Sequence, residues 1–159
     1  MEYLEGLKKR FDRPQIIRMI GSFIGIGFLG VLYCFYDLPL LVASLGSTAV
    51  TLFALPKAPA AKPKSAILGQ ISSAIVGWGT QFLLGTTWYS AAIAVMLALV
   101  IMVLLDCVHP PGGATALTAI LTPQEWTFIF APVAIGVVFL VIVAYVANRF
   151  CEKYEVNPQ

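Results

Sequence analysis

Six stretches of this chain, residues 16–36, 38–55, 65–85, 88–105, 110–121 and 126–147, hold a single charged residue between them, Arg18. Runs of that length and polarity have few places to go. Of the 159 residues 59% are hydrophobic and 11% charged, against about 25% charged in an ordinary soluble domain. A chain this small would lack the polar side chains to cover itself in water, so the apolar excess must face lipid. The sequence therefore predicts an all-α integral membrane protein. At about 20 residues per crossing, six crossings consume roughly 120 residues, which leaves no room for a water-exposed catalytic domain.

Several chemistries lack their parts. Cys34, Cys107 and Cys151 are far apart and form no CxxC pair, so neither a disulfide framework nor a zinc site is expected. One histidine and no paired intramembrane carboxylates leave too few ligands for any metal, and nothing points to a cofactor. No serine, threonine or cysteine has an obvious base with an orienting acid, so no enzyme is expected. A net charge of +2 is too small to imply nucleic acid.

Placement of the basic residues orders the six stretches. Four have the length of a helical crossing; the second is interrupted by Leu45-Gly46-Ser47-Thr48, and the fifth, at about 12 residues or 18 Å of helix, is too short to cross about 30 Å of hydrocarbon alone. If all six nevertheless cross, with the N-terminus cytoplasmic, then Lys8, Lys9, Arg10, Arg13, Arg18, Lys57, Lys62, Lys64, Arg149 and Lys153 all fall on the cytoplasmic side, as the positive-inside rule favours. Were the second and fifth stretches re-entrant, the loop from Lys57 to Lys64 would face out. With six crossings, Trp88, Tyr89 and Trp126 lie near the outer interface. The basic start has no apolar run ending in a cleavage site, so it is not a cleavable signal, and it suits the inner (plasma) membrane of a cell, multi-pass, with both termini cytoplasmic.

One internal offset, 67 residues, aligns Gly46-Ser47-Thr48-Ala49 with Gly113-Ala114-Thr115-Ala116, Thr51 with Thr118, Pro56 with Pro123 and Gly69 with Gly136. The chain divides accordingly into a basic segment 1–15, a first repeat 16–85, a second repeat 88–148 and a tail 149–159. Three crossings is an odd number, so the second repeat must run inverted relative to the first, a 3+3 plan shared by many transporters. The broken elements, second and fifth, then meet near the bilayer midplane, where irregular backbone is tolerated only when buried in protein or lining a cavity.

The stretch from Asp106 to Leu117 is the densest in candidate function. Pro110 and Pro111 forbid helix through His109, and a half-helix is expected to begin at Gly112–Ala114, its free N–H groups forming a donor-rich cup that suits an anion. Gly46, Ser47 and Thr48 offer the same geometry in the first half. The candidate substrate-binding set is thus Gly46, Ser47, Thr48, Gln70, His109, Gly112, Gly113, Ala114 and Thr115. His109 admits either a structural bond, to a backbone carbonyl or to Asp106, or a ligand- or proton-carrying role. Small residues at these positions also serve helix packing. No lysine or arginine sits deep in a span, so a passing anion must rely on N–H groups and helix dipoles, which favours a small, weakly hydrated monovalent anion.

At His109-Pro110-Pro111-Gly112-Gly113-Ala114-Thr115-Ala116-Leu117 the chain resembles the HPP family of integral membrane proteins. The segment from Leu45 to Phe53, followed by Pro56 and by Ala58-Pro59-Ala60-Ala61-Lys62-Pro63-Lys64, is similar to that family's other glycine-rich signature and proline-rich loop. The resemblance spans about residues 10–148. Leu68-Gly69-Gln70 stands where the family commonly has Gly-Gly-His, so a histidine role at that place is not carried over. The family is usually described as a four-helix domain, against the six crossings expected here. Some relatives carry a fused CBS regulatory domain, which the nine residues after Phe150 do not hold.

The resemblance implies nitrite as the first substrate to consider, because chloroplast and cyanobacterial members are associated with nitrite transport. The expectation is a transporter or channel for a small anion. The alternatives are a proton-coupled permease for another small polar solute and a non-transporting scaffold subunit. At 159 residues a homo-oligomer, dimer or trimer, is expected.

Overall fold

The structure, a computed structural model, describes residues 11–36 and 42–155. The basic residues at 8–10, the start of the second apolar stretch at 38–41 and the last four residues lie outside that set. Among the described residues six α-helices follow one another, α1 Arg13–Tyr36, α2 Ala43–Ala54, α3 Pro63–Leu84, α4 Trp88–Leu104, α5 Pro111–Leu121 and α6 Ile135–Glu155, and there is no strand. Among the described residues three apolar helical segments are long enough to cross a membrane, Arg13–Phe35, Pro63–Leu84 and Trp126–Glu152. The 17 residues of α4 reach about 25 Å, while the 12 of α2 and 11 of α5 give about 18 and 16 Å.

Local chemistry fixes most of the boundaries. Pro63 and Pro111 start α3 and α5, where a missing N–H costs nothing and φ is already helical. Gly85, at φ +68°, ends α3. Thr87 and Ser90 form a reciprocal capping box at the start of α4, satisfying two otherwise orphaned donors.

The second stretch is not broken at Leu45–Thr48. Its helix begins earlier, at Ala43, and runs through those residues without interruption. The sixth stretch, expected as one uninterrupted element from 126, is divided instead. A short 3-10 turn, Trp126–Ile129, leads into a wide turn, Phe130–Ala134, in which Ala131 is extended (φ −123°, ψ 118°). Pro132 is the cause, since it supplies no N–H and disfavours helical backbone in the residue before it.

That turn completes a correspondence between the halves. Shifted by 67 residues, α2 falls on α5, the 3-10 turn Pro59–Ala61 on Trp126–Ile129, and α3 on the wide turn plus α6. Burial repeats with the same offset. The buried residues of α2, Ser44, Leu45, Thr48, Ala49, Leu52 and Phe53, correspond to the buried Pro111, Gly112, Thr115, Ala116, Ala119 and Ile120 of α5. All eight buried residues of α3 likewise have buried counterparts between Pro132 and Ala147.

Helix packing obeys the same exchange. The contact of α1 with α6 is matched by α4 with α3, α1 with α2 by α4 with α5, and α3 with α5 by α6 with α2, while α2 meets α5 and α3 meets α6 across the centre. Each half thus completes the other's core. A Cβ on Gly136 would collide with Leu45 of α2. One on Gly69, the equivalent position, would lie 2.7 Å from His109 Cβ and 3.0 Å from the Cys107 carbonyl.

Successive helices run in alternating directions. At one end Arg18 Nε donates to Asn148 Oδ1 (3.0 Å), Cys151 Sγ to the Pro14 carbonyl, Lys64 lies 3.9 Å from Asp106, and Arg18 shares a cavity wall with Ala54–Ala58. At the other, Thr86 Oγ1 donates to the Ile120 carbonyl (3.0 Å).

Candidate functional site

The link between α4 and α5 carries the histidine, and its path is set by how α4 ends. Leu105 closes the helix and Asp106 follows at φ +49°, a left-handed conformation that aspartate tolerates better than most side chains. The Cys107 N–H then returns to the Met102 carbonyl (2.9 Å) and the Asp106 N–H to Val103 (3.2 Å), the paired bonds of a Schellman motif. The chain is thereby turned inward. Cys107 and His109 are fully buried while Asp106 and Val108 face out, and Gly69 of α3 leaves the room His109 occupies.

Around His109 the structure gathers a polar cluster from both halves. Its Nδ1 lies 2.8 Å from the Ala60 carbonyl; a carbonyl only accepts, so Nδ1 carries a hydrogen. Its Nε2 lies 3.1 Å from Thr48 Oγ1. Gln70 Nε2 donates to Thr48 Oγ1 at 2.6 Å and approaches the Ser44 carbonyl at 3.4 Å, and Thr115 Oγ1 donates to Gln70 Oε1. Thr48 Oγ1 is also 2.9 Å from the Ser44 carbonyl. All six residues except Ala60 are buried at 0–1% exposure, which in a membrane protein marks an expensive and purposeful arrangement.

Thr48 and Thr115 are equivalent under the 67-residue offset, and the carboxamide of Gln70 joins them. Their helices, α2 and α5, therefore face one another through one side chain. The rest of the cluster is one-sided. Gln70 corresponds to Val137 and His109 to Val42, so under the 67-residue offset these polar groups occur in a single copy.

The candidate residues separate into two groups. Thr48, Gln70, His109 and Thr115 come together. Gly46 and Gly113 are half-buried, and Ser47 and Ala114 lie on the exposed faces of α2 and α5, away from the cluster. Gly112 is buried against α3, where an added Cβ would stand 2.6 Å from Ser73 Oγ and 2.9 Å from the Gly69 carbonyl; it is a place of close helix approach. The donor-rich cup expected at the start of α5 is already spent. Pro110 and Pro111 have no N–H, and those of Gly112 and Gly113 bond to the His109 and Pro110 carbonyls at 2.8 and 3.0 Å. Pro110 is itself already helical (φ −51°, ψ −37°), so the half-helix begins one residue earlier than expected. Asp106 is exposed beside Lys64 and does not meet His109.

Two participants were not singled out from sequence: the Ala60 carbonyl and Ser44. Ser44 had a signal, since it lies four residues before Thr48 and so on the same helix face. Its hydroxyl is the one buried side-chain polar atom without a partner among the described residues.

The chain matches the family model described as HPP, transmembrane region, over residues 9–156. It belongs to the HPP family. Two transmembrane proteins of Dictyostelium discoideum are similar to this HPP chain, one 37% identical with 84% of this chain and 47% of the relative covered, the other 34% identical with 84% and 51% covered. The chain thus spans about half the length of the curated relatives it matches. No solved structure matches it.

Proposed function

We propose that this HPP protein is a small-solute membrane transporter or channel whose two inverted halves cross the bilayer six times. In this reading the solute, a small monovalent anion with nitrite the first to test, passes between α2 and α5 near the midplane. The observation that carries it is the Thr48–Gln70–Thr115 bridge with His109 at its side. Packing alone would be served by the apolar residues found at the equivalent positions, whereas a neutral, donor-and-acceptor lining at the meeting point of two short helices is what a polar solute needs.

The test is flux. Proteoliposomes holding the purified protein are expected to take up nitrite in a saturable manner, with Gln70→Leu slowing it; uptake equal to that of empty liposomes would refute the reading and favour a scaffold role. Topology is tested separately with single cysteines in a background lacking the native ones. A cysteine at Lys57 should label from the side of the termini and one at Thr86 from the opposite side, and the reverse pattern would mean that α2 and α5 do not cross. A dimer or trimer belongs to the same proposal, and native mass spectrometry showing only monomer would remove it.

A further inference from the structure

A lone anion entering this cluster would meet no cation. Ser44, Thr48, Gln70 and Thr115 do not titrate, and transferring an unpaired charge into a low-dielectric site is prohibitively costly. The charged groups of the elements packed around His109 stand at the edge. Lys64 of α3 and Asp106 of the α4–α5 link are exposed side chains 3.9 Å apart, Lys62 is exposed, and the link's other titratable side chain is the buried thiol of Cys107. Among the described residues His109 is the one group inside the cluster that can become positive, although burial pushes its imidazole below the usual histidine range and the bond to the Ala60 carbonyl only partly offsets this.

Hydrogen accounting shows that a proton fits there without displacing a heavy atom. With His109 neutral, Nδ1–H donates to the Ala60 carbonyl and Nε2 accepts from the Thr48 hydroxyl; the two Gln70 amide hydrogens go to Thr48 Oγ1 and the Ser44 carbonyl. With His109 protonated, Nε2–H donates to Thr48 Oγ1, and the Thr48 hydroxyl turns its hydrogen to the Ser44 carbonyl, already 2.9 Å away. Thr48 Oγ1 then accepts from both His109 and Gln70, using its two lone pairs. In the protonated state the Ser44 carbonyl, which also lies in the helical ladder of α2, takes the Thr48 hydrogen at 2.9 Å and leaves Gln70 only its weaker 3.4 Å contact there.

One donor is left over in both. The Ser44 hydroxyl is buried and unpartnered, it lies on the helix face of Thr48, and its counterpart in the other half is Pro111, so the scaffold does not require a hydroxyl there. An unpaired buried hydroxyl is unfavourable unless another state of the protein uses it.

We propose that a proton and the anion bind together, the proton on His109 Nε2 and the anion on the Ser44 hydroxyl, so that the pair enters the membrane interior with no net charge. This rests on the transport reading above and names its coupling ion. One proton is taken from solution per anion bound and is released with it; the Thr48 hydrogen turns from Nε2 to the Ser44 carbonyl and back.

The experiment is calorimetric titration of the intact protein in detergent with sodium nitrite, from pH 5.5 to 8.5, in two buffers of different ionisation enthalpy. Above the imidazole's titration the apparent Kd is expected to rise about tenfold per pH unit, with one proton absorbed per nitrite. His109→Gln should remove the slope, and Ser44→Ala should weaken binding about tenfold while keeping it. Nitrite binding with a pH-independent Kd and no proton uptake would overturn this inference alone. No binding at any pH would overturn the transport reading with it. The wild-type slope decides the matter even where a variant fails to fold.

Discussion

Two adjacent glycines should respond oppositely to the same methyl group. An alanine Cβ at Gly112 would stand 2.6 Å from Ser73 Oγ, 2.9 Å from the Gly69 carbonyl oxygen and 3.2 Å from Met102 Sδ. The Gly69 oxygen is backbone and Ser73 Oγ only two bonds from its Cα, so α5 must move away from α3. Overpacking of this kind costs about 1–3 kcal/mol, offset by at most about 1 kcal/mol from replacing glycine in a helix. At Gly113 the nearest atom is Val95 Cγ1 at 4.0 Å, ordinary contact, so Gly113→Ala should be neutral or stabilise by about 0.5 kcal/mol. The two variants should differ by about 2 kcal/mol, about thirtyfold in the folding equilibrium. Unfolding of purified protein in mixed dodecylmaltoside and dodecyl sulfate micelles measures this directly. A Gly112→Ala protein as stable as wild type, or a Gly113→Ala protein less stable than it, would refute the claim that α3 and α5 are held at contact distance by Gly69, Ser73 and Gly112.

Further outcomes follow from neighbouring geometry. Gly136→Ala should destabilise through Leu45, and Leu45→Ala should relieve it, giving a coupling of about 0.5–3 kcal/mol in a double-mutant cycle; strict additivity would mean that α6 does not receive α2 there. Asp106→Gly should leave micellar stability unchanged or raised, because glycine accepts the left-handed backbone freely, whereas Asp106→Val should lower it by about 1–2 kcal/mol; equal stabilities would refute the turn. Gln70→Leu should cost no more than about 1 kcal/mol of stability, the usual scale of hydrogen bonds between membrane helices, while slowing flux several-fold. A Gln70→Leu protein that loses stability and keeps its flux would make the bridge a structural tie.

The 67-residue correspondence of helix positions and burial was legible because Gly, Thr and Pro recur at that spacing, as at Gly69 and Gly136 or Thr48 and Thr115. The division of the sixth stretch was hidden because Trp126–Ile129 is an apolar counterpart of the proline-rich Pro59–Ala61 turn, and hydropathy reads composition, not backbone. The spent N–H groups at Gly112 and Gly113 are hidden for a related reason: a helix start looks donor-rich in sequence, but two prolines followed by tight turn bonds leave little to give.

What the sequence could not display is why the polar cluster is one-sided under the 67-residue offset. Symmetry would supply a second glutamine at Val137, and the hydrogen-bond count argues against it. Thr48 Oγ1 and Thr115 Oγ1 are the two equivalent hydroxyls at the junction, and Gln70 engages both, one through each end of its carboxamide. A second carboxamide at the fully buried Val137 position would find those two hydroxyls already engaged, at a cost of about 1–3 kcal/mol for each polar group left unpaired. Val137→Gln should therefore destabilise the protein in micelles, and Gln70→Val in the same chain should recover part of the loss by freeing both threonines. No recovery would mean that position 137 does not reach the junction and that the asymmetry has another origin.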